Sequence, residues 1–364
     1  MDVPTTYGLK YAGSKLKILP FIFELAGTTP AKSIFDGFSG TTRVSQAFAK
    51  AGYQVTSNDI GEWSFHFANG FLNNTQEPSH YADLIEHLNA LPPMDGWFTE
   101  HYGGDPTITS KDTPKRPWQI HNTRKLDAIR EEIDQLDLNP LARSVALISL
   151  MLALDKVDNT LGHHASYLRK WAARSYNELQ LELPALWVNQ QRNRVLKGDV
   201  FEAVREVDCD LAYYDPPYGS NNDKMPPSRV RYAAYYHLWT TVCLNDRPEI
   251  FGKAGRRKDS SDLTSTSVFE EFRKLESGQF IAVNAIDRLL AQTPCEWIIL
   301  SYSSGGRATS EQLNDCIHAH GTLVDSVEIV YRRHIMSTMH STRDWLRDEH
   351  TASNREYLFL IRKG

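Results

Sequence analysis

An aspartate, two prolines and a tyrosine stand together at 215–218, directly after the apolar run Leu211-Ala212-Tyr213-Tyr214. Such a run reads as a buried strand of an α/β sheet. Proline lacks the N–H that a ladder needs, so Pro216 and Pro217 cannot extend that strand. A carboxylate, exposed carbonyls and a ring are therefore gathered at a strand's carboxyl end, where open α/β sheets bind ligands. Acceptors beside a flat surface suit the exocyclic amine of a nucleobase. Asp215 can accept one amino hydrogen, the Pro216 carbonyl can accept the other, and Tyr218 can stack on the base. An ordinary turn at a strand end would use the same residue types, so the remainder of the chain has to decide.

A second constellation lies near the N-terminus, in Phe35-Asp36-Gly37-Phe38-Ser39-Gly40-Thr41. It reads as a glycine-bearing turn from strand to helix, where glycine lets the backbone approach a ligand closely. Asp59 follows 22 residues after Gly37, at the end of the next expected strand. A carboxylate at that distance suits the two hydroxyls of a ribose. The GxGxxG pattern of a dinucleotide site is absent, and Asp36 disfavours a phosphate while suiting a cation. S-adenosylmethionine carries a ribose, an adenine, a sulfonium and an ammonium but no phosphate, and it fits better than a nicotinamide dinucleotide.

The elements that must position these groups follow from periodicity. A helix is expected over Ile18 to Leu25, a strand over Lys32 to Phe35, a helix over Thr42 to Ala51 closed by Gly52, and a strand over Tyr53 to Ser57. Trp63 to about Leu91 reads as helical with a break at Pro78. Pro92 to Gln119 reads as loops, Thr123 to Leu136 as a polar helix, and Leu141 to Leu154 as a buried helix. Val195 to Val200 returns to strand character. Tyr232 to Leu244 presents an aromatic helical face, 245–267 reads as a basic loop, and Trp297 to Tyr302 as a strand. Val327 to Arg332 and Glu356 to Arg362 form a late hairpin. The expected fold is α/β, a Rossmann-like sheet from 1–60 and 191–364 carrying a late antiparallel hairpin. Residues 61–190 are expected to be a mostly helical insertion.

The chain has 364 residues and a formal net charge of −5, so it is not a protein coated in nucleic acid, although a local basic groove remains open. Basic clusters occur at Lys115-Arg116, at Arg169-Lys170 with Arg174, at Lys253 to Lys258, and at Arg332-Arg333. Cys209, Cys243, Cys295 and Cys316 are widely spaced, which argues for a reducing compartment and against a structural zinc site. No HExxH pattern occurs, and the adjacent pair His163-His164 does not share a helix face, so no metal is expected. Neither a signal peptide nor a membrane-length apolar run is expected, and a cytoplasmic location follows.

Five segments in this order resemble the DNA adenine-N6 methyltransferases of the Dam-type, or alpha, group. They are Leu9-Lys10-Tyr11-Ala12-Gly13-Ser14-Lys15, Phe35 to Thr41, Asp59, Gly198-Asp199-Val200-Phe201, and Asp215 to Tyr218. The resemblance implies that Tyr11, Ala12, Gly13 and Lys15 help close over the cofactor, with Ser14 departing from the group's second glycine. It implies that Asp199, beside Val200, holds the cofactor's adenine amine. It also implies a double-stranded DNA substrate, a flipped-out adenine, and a restriction-modification or phage/host DNA-marking setting, in which a separately encoded cognate restriction endonuclease would be the partner. Residues of the right type to meet DNA are Asn122, Arg124, Asn159, Arg169 and Lys170 in the insertion. Arg256, Arg257 and Lys258 in the basic loop are expected to meet phosphates. Cytosine N4 methylation needs the same acceptor geometry. RNA is disfavoured because related RNA enzymes often carry Asn at the position of Asp215. A non-catalytic DNA-binding module is the alternative from another class.

Overall fold

The computed structural model describes residues 3–11, 13–108, 115–219, 231–261, 267–332 and 353–364. A seven-stranded sheet organises them, with strands β1 (Ser33–Asp36), β2 (Gln54–Asp59), β3 (Arg194–Lys197), β4 (Leu211–Tyr214), β5 (Trp297–Ser303), β6 (Gly321–Arg332) and β7 (Ser353–Lys363). Their spatial order is β6-β7-β5-β4-β1-β2-β3. Strands β1 to β5 pair in parallel, while β7 runs antiparallel to both β5 and β6. The late hairpin thus closes one edge of a parallel sheet, as the sequence predicts. Strand order reverses between β1 and β4, so the carboxyl ends of these two neighbours open the crevice in which such sheets bind ligands.

Alternation along each central strand explains the two packed faces. Ile34, Leu211, Tyr213, Ile299 and Leu358 face helices α1 (Leu19–Gly27) and α2 (Arg43–Lys50). Phe35, Ala212, Tyr214, Ile298 and Leu300 face α8 (Val200–Ala203), α11 (Ile281–Gln292) and α12 (Ser310–His320). Burying a side chain of this kind contributes about 1.5–3 kcal/mol, so β4, buried at all four positions, is a firm base for the turn that follows it. Helix α12 starts from a capping box between Thr309 and Gln312, which satisfies two of its orphan N–H groups. Helices α11 and α12 lie outside the sequence expectations.

The segment after β2 is helical. It comprises α3 (Glu62–Leu72), α4 (Ala82–Ala90), α5 (Trp97–Tyr102), α6 (Ile120–Gln135) and α7 (Pro140–Lys156). Asn139 accepts the N–H groups of Leu141 and Ala142, and Pro140 stands at the first position of α7, a strong start signal. Helix α5 replaces part of the loop expected over 92–119. Phe67 and Phe71 of α3 share one apolar cluster with α4 to α7 and with Tyr236, Leu238, Trp239 and Val242, which belong to α10 (His237–Leu244) and the residue before it. The helical body is therefore built from two chain segments, one of them downstream of the Asp-Pro-Pro-Tyr turn.

Wide spacing of the cysteines is not distance in space. Cys209 and Cys295 form a disulfide with Cα atoms 5.5 Å apart, because each precedes one of the paired strands β4 and β5. The sequence reading, which took the wide spacing to argue for a reducing compartment, did not anticipate this pairing. Cys243 and Cys316 are buried and unbonded. Among the described residues, no helix is long and apolar enough to cross a membrane, and no group of His, Cys, Asp and Glu is arranged to hold a metal ion.

Candidate active site

At the end of β1, Gly37 donates its N–H to the Tyr213 carbonyl at 3.0 Å, which ties the glycine turn to β4. A Cβ at Gly37 would lie 2.8 Å from the Tyr214 ring and 3.2 Å from Val200, so this close approach admits only glycine. Phe38 packs edge-on against Tyr214 and Phe269, and Ser39 reaches Ser64 at 3.2 Å. Gly40 adopts φ +48° and donates its N–H to Asp59 Oδ2 at 2.8 Å. Thr41 is buried. The second carboxylate oxygen of Asp59 accepts the Gly61 N–H at 2.8 Å, so Asp59 clasps the turns that follow β1 and β2. The Ile60 N–H also bears on this carboxylate, and a carboxylate with about four lone-pair sites retains acceptor capacity for a hydroxyl.

Asp36 is 1% exposed and accepts the Ser45 hydroxyl at 2.6 Å through Oδ2, whereas its Oδ1 has no partner. Burial is the main force that lifts its carboxyl to about 7. The Oδ1 of buried Asn58 is also without a partner, although its amide donates to the carbonyls of Gly37 and Gly198. Two buried acceptors left open beside a glycine turn call for a ligand rich in donors. The ammonium of S-adenosylmethionine is one such donor, and these residues fit that cofactor. Asp199 is exposed and accepts the Phe201 N–H at 2.8 Å as the N-cap of α8. Tyr11 stacks on Tyr236 with ring centroids 4.5 Å apart and lies against Trp63 and Tyr232. Gly13, at φ +84°, leaves room for the Tyr232 hydroxyl, which a Cβ would meet at 3.0 Å. Ala12 lies outside the described residues.

Lys15 joins the two halves of the site. Its ammonium lies 2.9 Å from Asp215 Oδ1 and 2.7 Å from Glu356 Oε1, and 2.6 Å from the Tyr218 hydroxyl. The Tyr218 hydroxyl lies within hydrogen-bond reach of both Asp215 and Glu356, between which its single proton is shared, and Ser301 donates to Glu356 at 2.8 Å. Burial raises the Asp215 carboxyl to about 6 despite the opposing charge of Lys15. Lys15 and its hydrogen bonds outweigh burial at Glu356 and hold that carboxyl below its usual range. Among the described residues no hydrogen bond engages Asp215 Oδ2, which leaves one carboxylate oxygen for a substrate amine. Pro216 is buried and Pro217 half-buried. Tyr218 does more than its expected stacking. Its hydroxyl is bound into the carboxylate network, and its ring packs on Tyr302 at 4.8 Å between centroids. Glu356 escapes the sequence reading; the signal for it was an acid heading the apolar run Tyr357 to Ile361.

Several residues chosen by type for DNA are occupied otherwise. Asn122 is 1% exposed and exchanges hydrogen bonds with Asn177 and Leu179. Asn159 is equally buried and braces Arg116, Leu168 and Ala172. Arg257 is a correction to the basic loop: it is 4% exposed and its guanidinium is held by Asp246 and Asp259 at 2.6–3.0 Å. The loop is in part a short antiparallel hairpin pairing Ile250–Phe251 with Arg256–Arg257. Arg256 lies over the Phe251 ring, and exposed Lys258 pairs with Glu249. Arg124 is half-buried and paired with Asp95, while Arg169 and Lys170 are both exposed.

Residues 11–278 match the family described as D12 class N6 adenine-specific DNA methyltransferase. The modification methylase StsI of Streptococcus sanguinis is 28% identical over 90% of this chain and 49% of its own length. The type II methyltransferase M.NlaIII of Neisseria lactamica is 25% identical over 98% of this chain and 99% of its own. The type II methyltransferase M.FokI of Planomicrobium okeanokoites is 26% identical over 98% of this chain and 53% of its own. The chain thus spans about half the length of two of these relatives and nearly all of the third.

Proposed function

The chain belongs to the D12 class of N6 adenine-specific DNA methyltransferases, and on that premise we propose that it methylates adenine N6 at specific sites in double-stranded DNA. The observation that carries the reading is the open Oδ2 of Asp215 at the end of β4, beside a glycine turn with its own open acceptor at Asp36. Asp36, Asp59, Tyr11 and Asp199 are the residues that hold S-adenosylmethionine, with Lys15 and Val200 around them. When bound, that cofactor supplies a methyl group on a sulfonium. The lone pair of the target amine is conjugated into its ring, which makes it a weak nucleophile. Asp215 Oδ2 and the Pro216 carbonyl accept its two hydrogens, and both bonds strengthen as positive charge grows on nitrogen. In a duplex the base must leave the stack first, at a cost of a few kcal/mol, and the Tyr218 ring offers it a surface.

The motif order favours the Dam-type alpha group within the class. The helical body of 61–190 with α10 is the proposed reader of sequence, with Arg124, Arg169 and Lys170 among its candidates and Arg256 and Lys258 as phosphate contacts. The modification methylases among the relatives favour a restriction-modification role, a separately encoded endonuclease as partner, and a cytoplasmic location. The test is transfer of a labelled methyl group from S-adenosylmethionine to duplex DNA, followed by digestion to nucleosides. N6-methyladenine is expected. N4-methylcytosine would move the reading to the other exocyclic amine, and no labelled nucleoside would overturn it.

A further inference from the structure

We propose that Glu356 is a positioning residue of the transfer site, holding Lys15 and the Tyr218 hydroxyl so that Asp215 meets the target amine as an open acceptor. The inference rests on the methyltransferase reading above and concerns a residue which that reading does not use. Glu356 is 2% exposed, and three donors converge on its Oε1: Lys15 at 2.7 Å, Tyr218 at 2.6 Å and Ser301 at 2.8 Å. A buried carboxylate persists only where it is paired and hydrogen-bonded, and this one is placed at the head of a strand whose next residues are apolar. Its four-residue network is drawn from β7, β5, the turn after β4 and the N-terminal segment, and no single element would need it for its own folding.

Charge decides what this arrangement does. Were Asp215 the sole partner of Lys15, the ammonium would neutralise it and compete with the substrate amine for its oxygens. With Glu356 present, one cation lies between two carboxylates, and the site keeps an excess negative charge. Positive charge growing on the amine nitrogen is then stabilised in the transition state. Glu356 also anchors the Tyr218 hydroxyl, which fixes the ring that faces the base. The titratable groups that face this centre are Tyr11 and Lys15 from the N-terminal segment, Asp36 from β1, Tyr213 and Asp215 from β4 and its turn, Tyr218, and Tyr232 from α9 (Tyr232–Tyr235), and burial keeps the tyrosines neutral. Glu356 acts on the substrate only through Lys15 and Tyr218, so it is not itself a catalytic residue.

Glu356→Gln keeps the shape and removes the charge. In the full chain it is expected to lower kcat by roughly tenfold or more, less than the roughly 10²–10³ of a group that touches the transition state because Glu356 acts through Lys15 and Tyr218, with KM for duplex and Kd for S-adenosylmethionine within about threefold. The acid limb of the kcat profile should move to lower pH, because the charge of Glu356 is one of the influences raising Asp215. Glu356→Asp, which restores the charge, should return the acid limb toward the wild-type position. Unchanged kcat and an unmoved acid limb in a folded Glu356→Gln protein would overturn the proposal. If the Gln variant does not fold, the comparison of Glu356→Asp with wild type by carboxyl 13C NMR titration of Asp215 decides: an Asp215 midpoint near the wild-type value is expected, and a midpoint displaced as far as in Lys15→Met overturns it. A wild-type protein that methylates no DNA would sink the parent reading instead. Glu356 would then be judged by the same titration, in which the Gln variant must lower the Asp215 midpoint.

Discussion

Replacing Lys15 by Met removes the cation that a half-buried carboxylate, Asp215, and a buried one, Glu356, share. The Lys15 side chain is 9% exposed, and those of Asp215 and Glu356 are 18% and 2% exposed. Leaving a buried ion without its partner costs about 3–5 kcal/mol when the remaining groups are ionised. The two acids can escape that cost by taking up a proton, so the loss depends on pH. Asp215 already sits at about 6 with Lys15 lowering it, and without that influence its pKa rises further. A folded carboxyl raised above the roughly 3.9 of an unfolded aspartate favours folding at low pH, and that advantage is lost as pH rises through the folded pKa. Glu356, which Lys15 holds below its usual range, rises too when the cation is removed, so the Lys15→Met protein should approach wild-type stability as pH falls and drop progressively further behind it as pH rises from 5 to 8. Thermal melts of both proteins across that range check this. A stability difference that stays constant with pH, or no difference at pH 8, would refute the placement of Lys15 between two ionisable partners.

Two further outcomes follow from single residues. Asp36 is buried with an open Oδ1 and a carboxyl lifted to about 7, so the cofactor-free protein should lose stability as pH rises through 7. Asp36→Asn should remove that loss and weaken S-adenosylmethionine binding by about 1–3 kcal/mol, readable by melts and calorimetry. Arg257→Ala should cost about 1–3 kcal/mol of stability through its lost aspartate partners and leave the salt dependence of DNA binding unchanged; a slope reduced by about 0.9 would make Arg257 a phosphate contact instead.

The continuous apolar run of β4 and the two prolines after it made the Asp215 turn legible, because strand burial and proline chemistry are local. The same holds for the turn at Phe35 to Thr41, the carboxylate of Asp59, and the antiparallel closing hairpin. What sequence could not supply were long-range meetings. Glu356 reaches Lys15 across 341 positions, and nothing near either residue marks the other as its partner. Cys209 and Cys295 meet because a crossover returns β5 beside β4, a fact of topology rather than spacing. Residue type also misled at Asn122, Asn159 and Arg257: amides and guanidinium groups read bases, but they equally satisfy buried carbonyls and carboxylates, and only their neighbours distinguish the two. Helix α5 was hidden by the glycines and prolines around it.

If Asp215 accepts one amine hydrogen during transfer, its loss shows most directly in Asp215→Ala, followed by single-turnover methylation of duplex DNA with cofactor affinity measured on the same protein by calorimetry. The methylation step should be abolished while S-adenosylmethionine affinity stays within a few-fold of wild type. Near-normal turnover in that variant would contradict it.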